Sequence, residues 1–165
     1  MSGAPIIKVG MAELQVGIGE GILRTTGLGS CVGVTLYDYA AKIGGMAHVM
    51  LPDSGIARGG AINRAKFADT AIPEMLERMV RLGASIGRIR AKLAGGAQMF
   101  AFSGNQSELM RVGPRNVEKC REVLAKLGIP VVGEDTGGNY GRTIELLIDS
   151  GVLIVRSVNR EAKEI

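Results

Sequence analysis

Hydrophobic and polar positions alternate in short runs along most of the chain and recur at helical spacing in two segments. Val9, Met11, Leu14 and Val16 stand among polar neighbours, and Ile22-Leu23 leads into Thr25-Thr26. This predicts two short strands with a turn at Gly17-Ile18-Gly19. Val32, Val34 and Leu36 then alternate with smaller or polar residues as far as Asp38-Tyr39-Ala40-Ala41, and residues 43–50 make a second apolar run. Strand, turn and strand in this order predict a β-hairpin. A turn centred between Tyr39 and Ala40 pairs Tyr37 with Lys42, Thr35 with Gly44, Gly33 with Met46 and Cys31 with His48. Directly opposed residues share one face with Cβ atoms roughly 4.5–5.5 Å apart, within reach of a thiol to imidazole hydrogen bond. A slip of one residue would send the two to opposite faces.

Helical spacing first holds for Phe67, Ala68, Ala71, Ile72, Met75, Leu76, Met79 and Leu82, from an Asn63 N-cap to Gly83. Pro73 interrupts it, giving either a kinked helix or two helical pieces. The second helix has Pro114 in its first turn, Val117, Cys120, Leu124 and Leu127 along its apolar line, and Gly128 at its close. Residues 89–93 and 129–132 read as strands, and Ala94-Gly95-Gly96-Ala97 as a place of close backbone approach. Residues 53–60 are a Gly-rich connector or lid, residues 100–111 a loop with exposed apolar side chains, and residues 133–141 a turn-rich loop. In that last loop Glu134 and Asp135 are given turn or capping roles. Residues 142–148 and 152–158 form a hairpin about Asp149-Ser150-Gly151, and residues 159–165 a charged tail, frayed or briefly helical. Roughly eight strands with two segregated helical segments define an α+β class, mostly antiparallel or mixed sheets with the helices on one face.

A chain of 165 residues suits a single domain spanning residues 1–165. Its 25 glycines and lack of tryptophan add many turns and a core of aliphatics and Met. The net charge of +4 is scattered and aromatics make up 4% of the chain, so the stacking platform of a nucleic-acid binder is not expected. Mild attraction to an acidic partner, or simply a solvated surface, accounts for the charge. The first residues lack the pattern of a secretory signal, and no apolar run approaches the ~18 residues of a membrane span. A cytoplasmic location without membrane insertion is expected. Two distant cysteines and one histidine make neither a disulfide framework nor a metal set, so no metal or cofactor is expected. Cys120, on the buried helical line, reads as a core residue.

Cys31 and His48 carry the candidate chemistry. A free thiol ionises near pH ~8.5 and reacts as the thiolate, so it needs a neighbour that takes its proton. His48, the sole histidine, is the candidate base. Gly29 and Ser30 can bend a turn so that backbone N–H groups meet a developing oxyanion, and a threonine upstream can fix the imidazole tautomer. These parts describe acyl transfer through a thioester. A cysteine packed against a core histidine is the alternative on residue type, and a cysteine peptidase or thioesterase would use the same groups.

Thr25-x-Gly27-Leu28-Gly29-Ser30-Cys31, Ala47-His48-Val49-Met50-Leu51-Pro52, Lys66-Phe67-Ala68-Asp69 and the 133–142 segment, Gly-Glu-Asp-Thr-Gly-Gly-Asn-Tyr-Gly-Arg, together resemble the bacterial chemoreceptor glutamine deamidase family, CheD. The resemblance implies a layered α/β/β sandwich, similar to the catalytic domain of deamidating bacterial toxins. It also implies a cysteine hydrolase that converts receptor glutamines to glutamate in chemotaxis, with a side activity on glutamate methyl esters. Carried over by position, Cys31 is the nucleophile, His48 the base and Thr25 the third member, with Thr26 beside it. The implied partners are the cytoplasmic domain of a chemoreceptor (a methyl-accepting chemotaxis protein) and the CheC phosphatase. A role mainly as a regulatory binding module for CheC is the alternative, with Phe100 and Phe102 as either contact or core residues.

Overall fold

The alternating runs resolve into two five-stranded sheets stacked face to face, with both helices on the outer side of one sheet. The computed structural model describes residues 4–56, 62–99 and 111–165. Its strands are β1 (Ile6–Lys8), β2 (Leu14–Ile18), β3 (Ile22–Leu28), β4 (Val32–Asp38), β5 (Ile43–Val49), β6 (Ile89–Gly95), β7 (Val131–Thr136), β8 (Arg142–Leu147), β9 (Leu153–Arg156) and β10 (Lys163–Glu164). The helices are α1 (Ala68–Leu82) and α2 (Val112–Leu127). The outer sheet runs β1-β3-β8-β9-β10 and the central sheet β2-β5-β4-β6-β7. Parallel pairing joins β1 to β3 and β6 to β7, so both sheets are mixed, as the α+β sandwich expected from sequence requires.

Covering the central sheet on both faces buries every residue of β4 and β5. Val32, Val34, Leu36, Ala47 and Val49 face the helices, beside Ile72, Met75, Met79 and Leu124. Met46 faces the outer sheet with Leu23, Leu28, Ile144 and Leu146. Gly33 makes room there: a Cβ on it would stand 2.4 Å from Ile144 Cδ1.

Several boundaries differ from expectation. Gly17 and Ile18 belong to β2, paired with Gly44 and Ile43, and the turn follows them. The three residues of β1 are too few to show a period, and β1 is held by pairing to β3. Asn63 does not cap α1: its Oδ1 accepts the Ala65 N–H in a preceding turn, and the helix starts at Ala68 after Phe67. Pro73 lies inside one continuous α1. Residues 133–136 are strand, with Glu134 paired to Arg121 at 2.6 Å and Asp135 to Arg142 at 3.2 Å, so ion pairing replaces the expected turn roles. The tail forms β10 because the edge of β9 offers main-chain partners, Lys163 opposite Val155 and Glu164 opposite Ile154. Residues 57–60 of the loop expected at 53–60 and all of 100–110, with Phe100 and Phe102, lie outside the described residues, while Ser54–Ile56 form a single 3-10 turn. Among the described residues no helix is long and apolar enough to cross a membrane.

Candidate active site

The β4–β5 hairpin brings Cys31 and His48 to one face, in a register two residues from the one expected. Gly33 stands opposite His48, Tyr37 opposite Gly44 and Asp38 opposite Ile43, leaving a four-residue turn. Asp38 sets that length, because its carboxylate accepts the N–H groups of Ala40 and Ala41 at 3.0 and 3.1 Å while Lys42 adopts φ 53°. A shift of two preserves the face. Cys31, just before β4, therefore lies diagonal to His48 rather than opposite it, and packs at the edge of the inter-sheet core.

Thr25 reaches the same layer from β3. Strand alternation turns Thr25 inward with Leu23 and leaves Thr26 exposed, and a bulge in the β3–β8 pairing between Thr25 and Leu28 lets Leu28 face inward as well. Thr25 Oγ1 donates to the Val9 carbonyl at 2.6 Å and lies 2.7 Å from His48 Nδ1. A hydroxyl has one proton, and the carbonyl can only accept it. Thr25 thus accepts from Nδ1–H, which leaves Nε2 as the bare nitrogen. Nε2 is buried with no hydrogen-bond partner among the described residues.

The segment carrying Cys31 is held from two sides. Gly27 takes φ 72°, and the Gly29 N–H closes onto the Gly27 carbonyl at 3.1 Å, so that among the described residues Gly29 spends its donor within the turn. The Gly96 N–H donates to the Cys31 carbonyl and the Ala97 N–H to the Gly29 carbonyl, both at 2.8 Å. A Cβ on Gly95 would lie 2.3 Å from the Cys31 carbonyl oxygen, the close approach expected of the glycine pair. From α2, buried Asn116 donates through Nδ2 to the carbonyls of Ser30 and Met50 at 2.9 and 3.0 Å. Asn116 escaped notice in the sequence although it adjoins Val117 on the buried line, where a polar residue is itself a signal.

Burial pushes the Cys31 thiol up from 9.0, opposed by its own backbone N–H, and pushes His48 down from 6.5. The resting pair is a neutral thiol and a neutral imidazole, suited to proton transfer during attack. Cys120 is wholly buried, as its helical position predicted, and burial pushes its thiol up to about 12. Among the described residues no three His, Cys, Asp or Glu side chains gather as a metal site. A groove of about 470 Å³ is lined by Gly27, Tyr140, Gly141, Arg156 and Val158 among others, and neither Cys31 nor His48 is part of its lining.

Comparison with known proteins places the whole chain. Residues 50–157 match the family model described as CheD chemotactic sensory transduction. The chain belongs to the CheD family. The chemoreceptor glutamine deamidase CheD of Halalkalibacterium halodurans is 49% identical over 160 residues, 97% of this chain and 98% of that protein. The probable chemoreceptor glutamine deamidase CheD of Geobacillus kaustophilus is 52% identical over 165 residues, all of both chains. The CheD of Bacillus velezensis, also described as a chemoreceptor glutamine deamidase, is 46% identical over 157 residues. The site described above lies within the span shared with these CheD relatives.

Proposed function

We propose that this protein is a cytoplasmic, cofactor-independent cysteine hydrolase that deamidates glutamine side chains in the cytoplasmic domain of chemoreceptors. The observation that carries the mechanism is the Val9–Thr25–His48 relay, which holds the imidazole with Nε2 unprotonated on the face shared with Cys31. The substrate class comes from the relatives' descriptions. In the first half-reaction His48 Nε2 takes the Cys31 proton as sulfur attacks the carboxamide carbon. The N–H groups of Ser30 and Cys31 receive the oxyanion, the C–N bond breaks, and the imidazolium proton leaves with ammonia. A Cys31 thioester remains. Water, deprotonated by His48, then attacks the thioester, and the departing sulfur regains a proton to leave glutamate. A glutamate methyl ester follows the same path with methanol as leaving group.

The test is mass spectrometry of a receptor cytoplasmic fragment incubated with the parent protein and with Cys31→Ala and His48→Ala. Conversion of glutamine to glutamate with ammonia release by the parent, absent in both variants, is the expected result. No conversion by a folded parent on several receptors refutes the assignment.

A further inference from the structure

Asn116 has no place in the relay, yet it is the polar side chain most closely tied to both halves of it. It is fully buried on α2, and its two amide protons go to the carbonyl preceding the candidate nucleophile and to Met50, two residues past the candidate base. Both partners are carbonyls, which fixes the amide orientation, since only Nδ2 can donate. Its Oδ1 has no partner among the described residues. Among the described residues its hydrogen bonds are therefore those of its two donors. Three residues earlier on the same helix, Gly113 seats α2 against the segment that grips the Cys31 loop. A Cβ there would stand 2.1 Å from the Ala97 carbonyl oxygen and 2.8 Å from that of Gly96.

The Ser30–Cys31 peptide bond is trans, so its C=O and N–H point in opposite directions in one plane. Drawing the Ser30 carbonyl toward α2 turns the Cys31 N–H away from the helix layer, toward the face where the Cys31 side chain lies. In keeping with this, the Cys31 N–H acts on its own sulfur to favour the thiolate. We infer that Asn116 is a positioning residue that aims the Cys31 N–H as an oxyanion donor and locks the Cys31 loop to the end of the His48 strand. The inference rests on the proposed acyl-transfer reading and adds a group that contacts neither substrate nor the reacting atoms.

Alkylation and acylation separate this role from a structural one. Iodoacetamide alkylates a thiolate by displacement at carbon and forms no oxyanion, whereas p-nitrophenyl acetate and a carboxamide both react through one. In Asn116→Ala, and in Asn116→Leu, which keeps the branched shape, Cys31 should alkylate at the parent rate once fully ionised, with its pH profile moved upward because the Cys31 N–H no longer favours the thiolate. Acylation by p-nitrophenyl acetate and receptor deamidation should both fall by about 100- to 1,000-fold, mainly in kcat, the range for loss of an oxyanion donor. Melting curves and circular dichroism report the fold. Equal losses in alkylation and acylation, parent-like acylation, or failure of both variants to fold would overturn the inference. Acylation of the parent by the ester without receptor deamidation would defeat the deamidase reading alone; slowed acylation of the variants would still support the role of Asn116.

Discussion

Thr25→Val removes the hydroxyl that links Val9 to His48 while keeping a β-branched side chain of nearly the same shape. In the parent, that oxygen donates to a carbonyl at 2.6 Å and accepts from Nδ1–H at 2.7 Å, at a site 2% exposed. Without it, the Val9 carbonyl loses the Thr25 donor, and the imidazole must either bury an unmet Nδ1–H or move its proton to Nε2. An unmet buried donor costs about 1–3 kcal/mol, and among the described residues Nε2 has no partner either, so the imidazolium of the transition state, protonated on both nitrogens, bears that cost at Nδ1. The transition state is then disfavoured by a similar amount, and each ~1.4 kcal/mol is tenfold in rate. Thr25→Val should lower kcat for receptor deamidation by about 10- to 100-fold and destabilise the fold by about 1–3 kcal/mol. Thr25→Ser, which keeps the hydroxyl, should stay within about fivefold of the parent. Since the chain has one histidine, ¹⁵N spectra of the imidazole are unambiguous: protonated Nδ1 in the parent and Thr25→Ser, and loss of that preference in Thr25→Val. Parent-like kcat in Thr25→Val, or a parent spectrum with Nε2 already protonated, would refute the relay.

With His48 below 6.5 and Cys31 above 9.0, kcat/KM should be level through neutral pH and fall only below about pH 6.5, as His48 protonates. Iodoacetamide alkylation should instead still be rising above pH 9; a bell centred near pH 6 would indicate a resting ion pair and refute the neutral assignment. The same His48 shift predicts a stability effect: the unfolded chain binds its proton first as pH falls. This contribution is complete above 6.5 and lost as pH drops from there to the depressed folded value, readable in urea midpoints. Asp38, held down to about 2 by Arg88 and the N–H groups of Ser85 and Ala41 against the opposing effect of burial, contributes about 2 kcal/mol that is present above its ordinary 3.8 and lost as pH falls through about 2. Asp38→Asn should flatten that acid limb. Gly95→Ala forces a side chain onto φ 107° and into the Cys31 carbonyl, and should cost about 2–4 kcal/mol in denaturant midpoint while slowing Cys31 acylation.

The parts of the fold legible in the sequence are those whose side chains repeat a period long enough to see. Seven residues of β4 and seven of β5, and the helical lines through Met75 and Leu124, are buried as patterned. β1 and β10 were invisible for the opposite reason. At three and two residues they exist because neighbouring strands offer main-chain partners, which no side-chain pattern records. Residues 133–136 misled because glycine and adjacent carboxylates are turn chemistry in a local reading, whereas the strand owes its charge pattern to Arg121 and Arg142 elsewhere in the chain.

The site shows the same division at closer range. The hairpin put Cys31 and His48 on one face even with the turn misplaced, because an error of two residues leaves side-chain parity intact. Thr25 was chosen over Thr26 on motif spacing; strand alternation puts the two on opposite faces, and which of them turns to His48 is set by the pairing of β3 against β8. That pairing depends on residues more than a hundred positions away. Asn116 lies further still from local inference, since its two bonds join a loop and a strand end to a helix that follows both. Short-range pattern thus supplied the candidate reactive groups, and long-range packing supplied their orientation. Catalysis by differential stabilisation of a transition state depends chiefly on the second, so the Thr25 and Asn116 variants probe this protein's chemistry more sharply than loss of Cys31 itself.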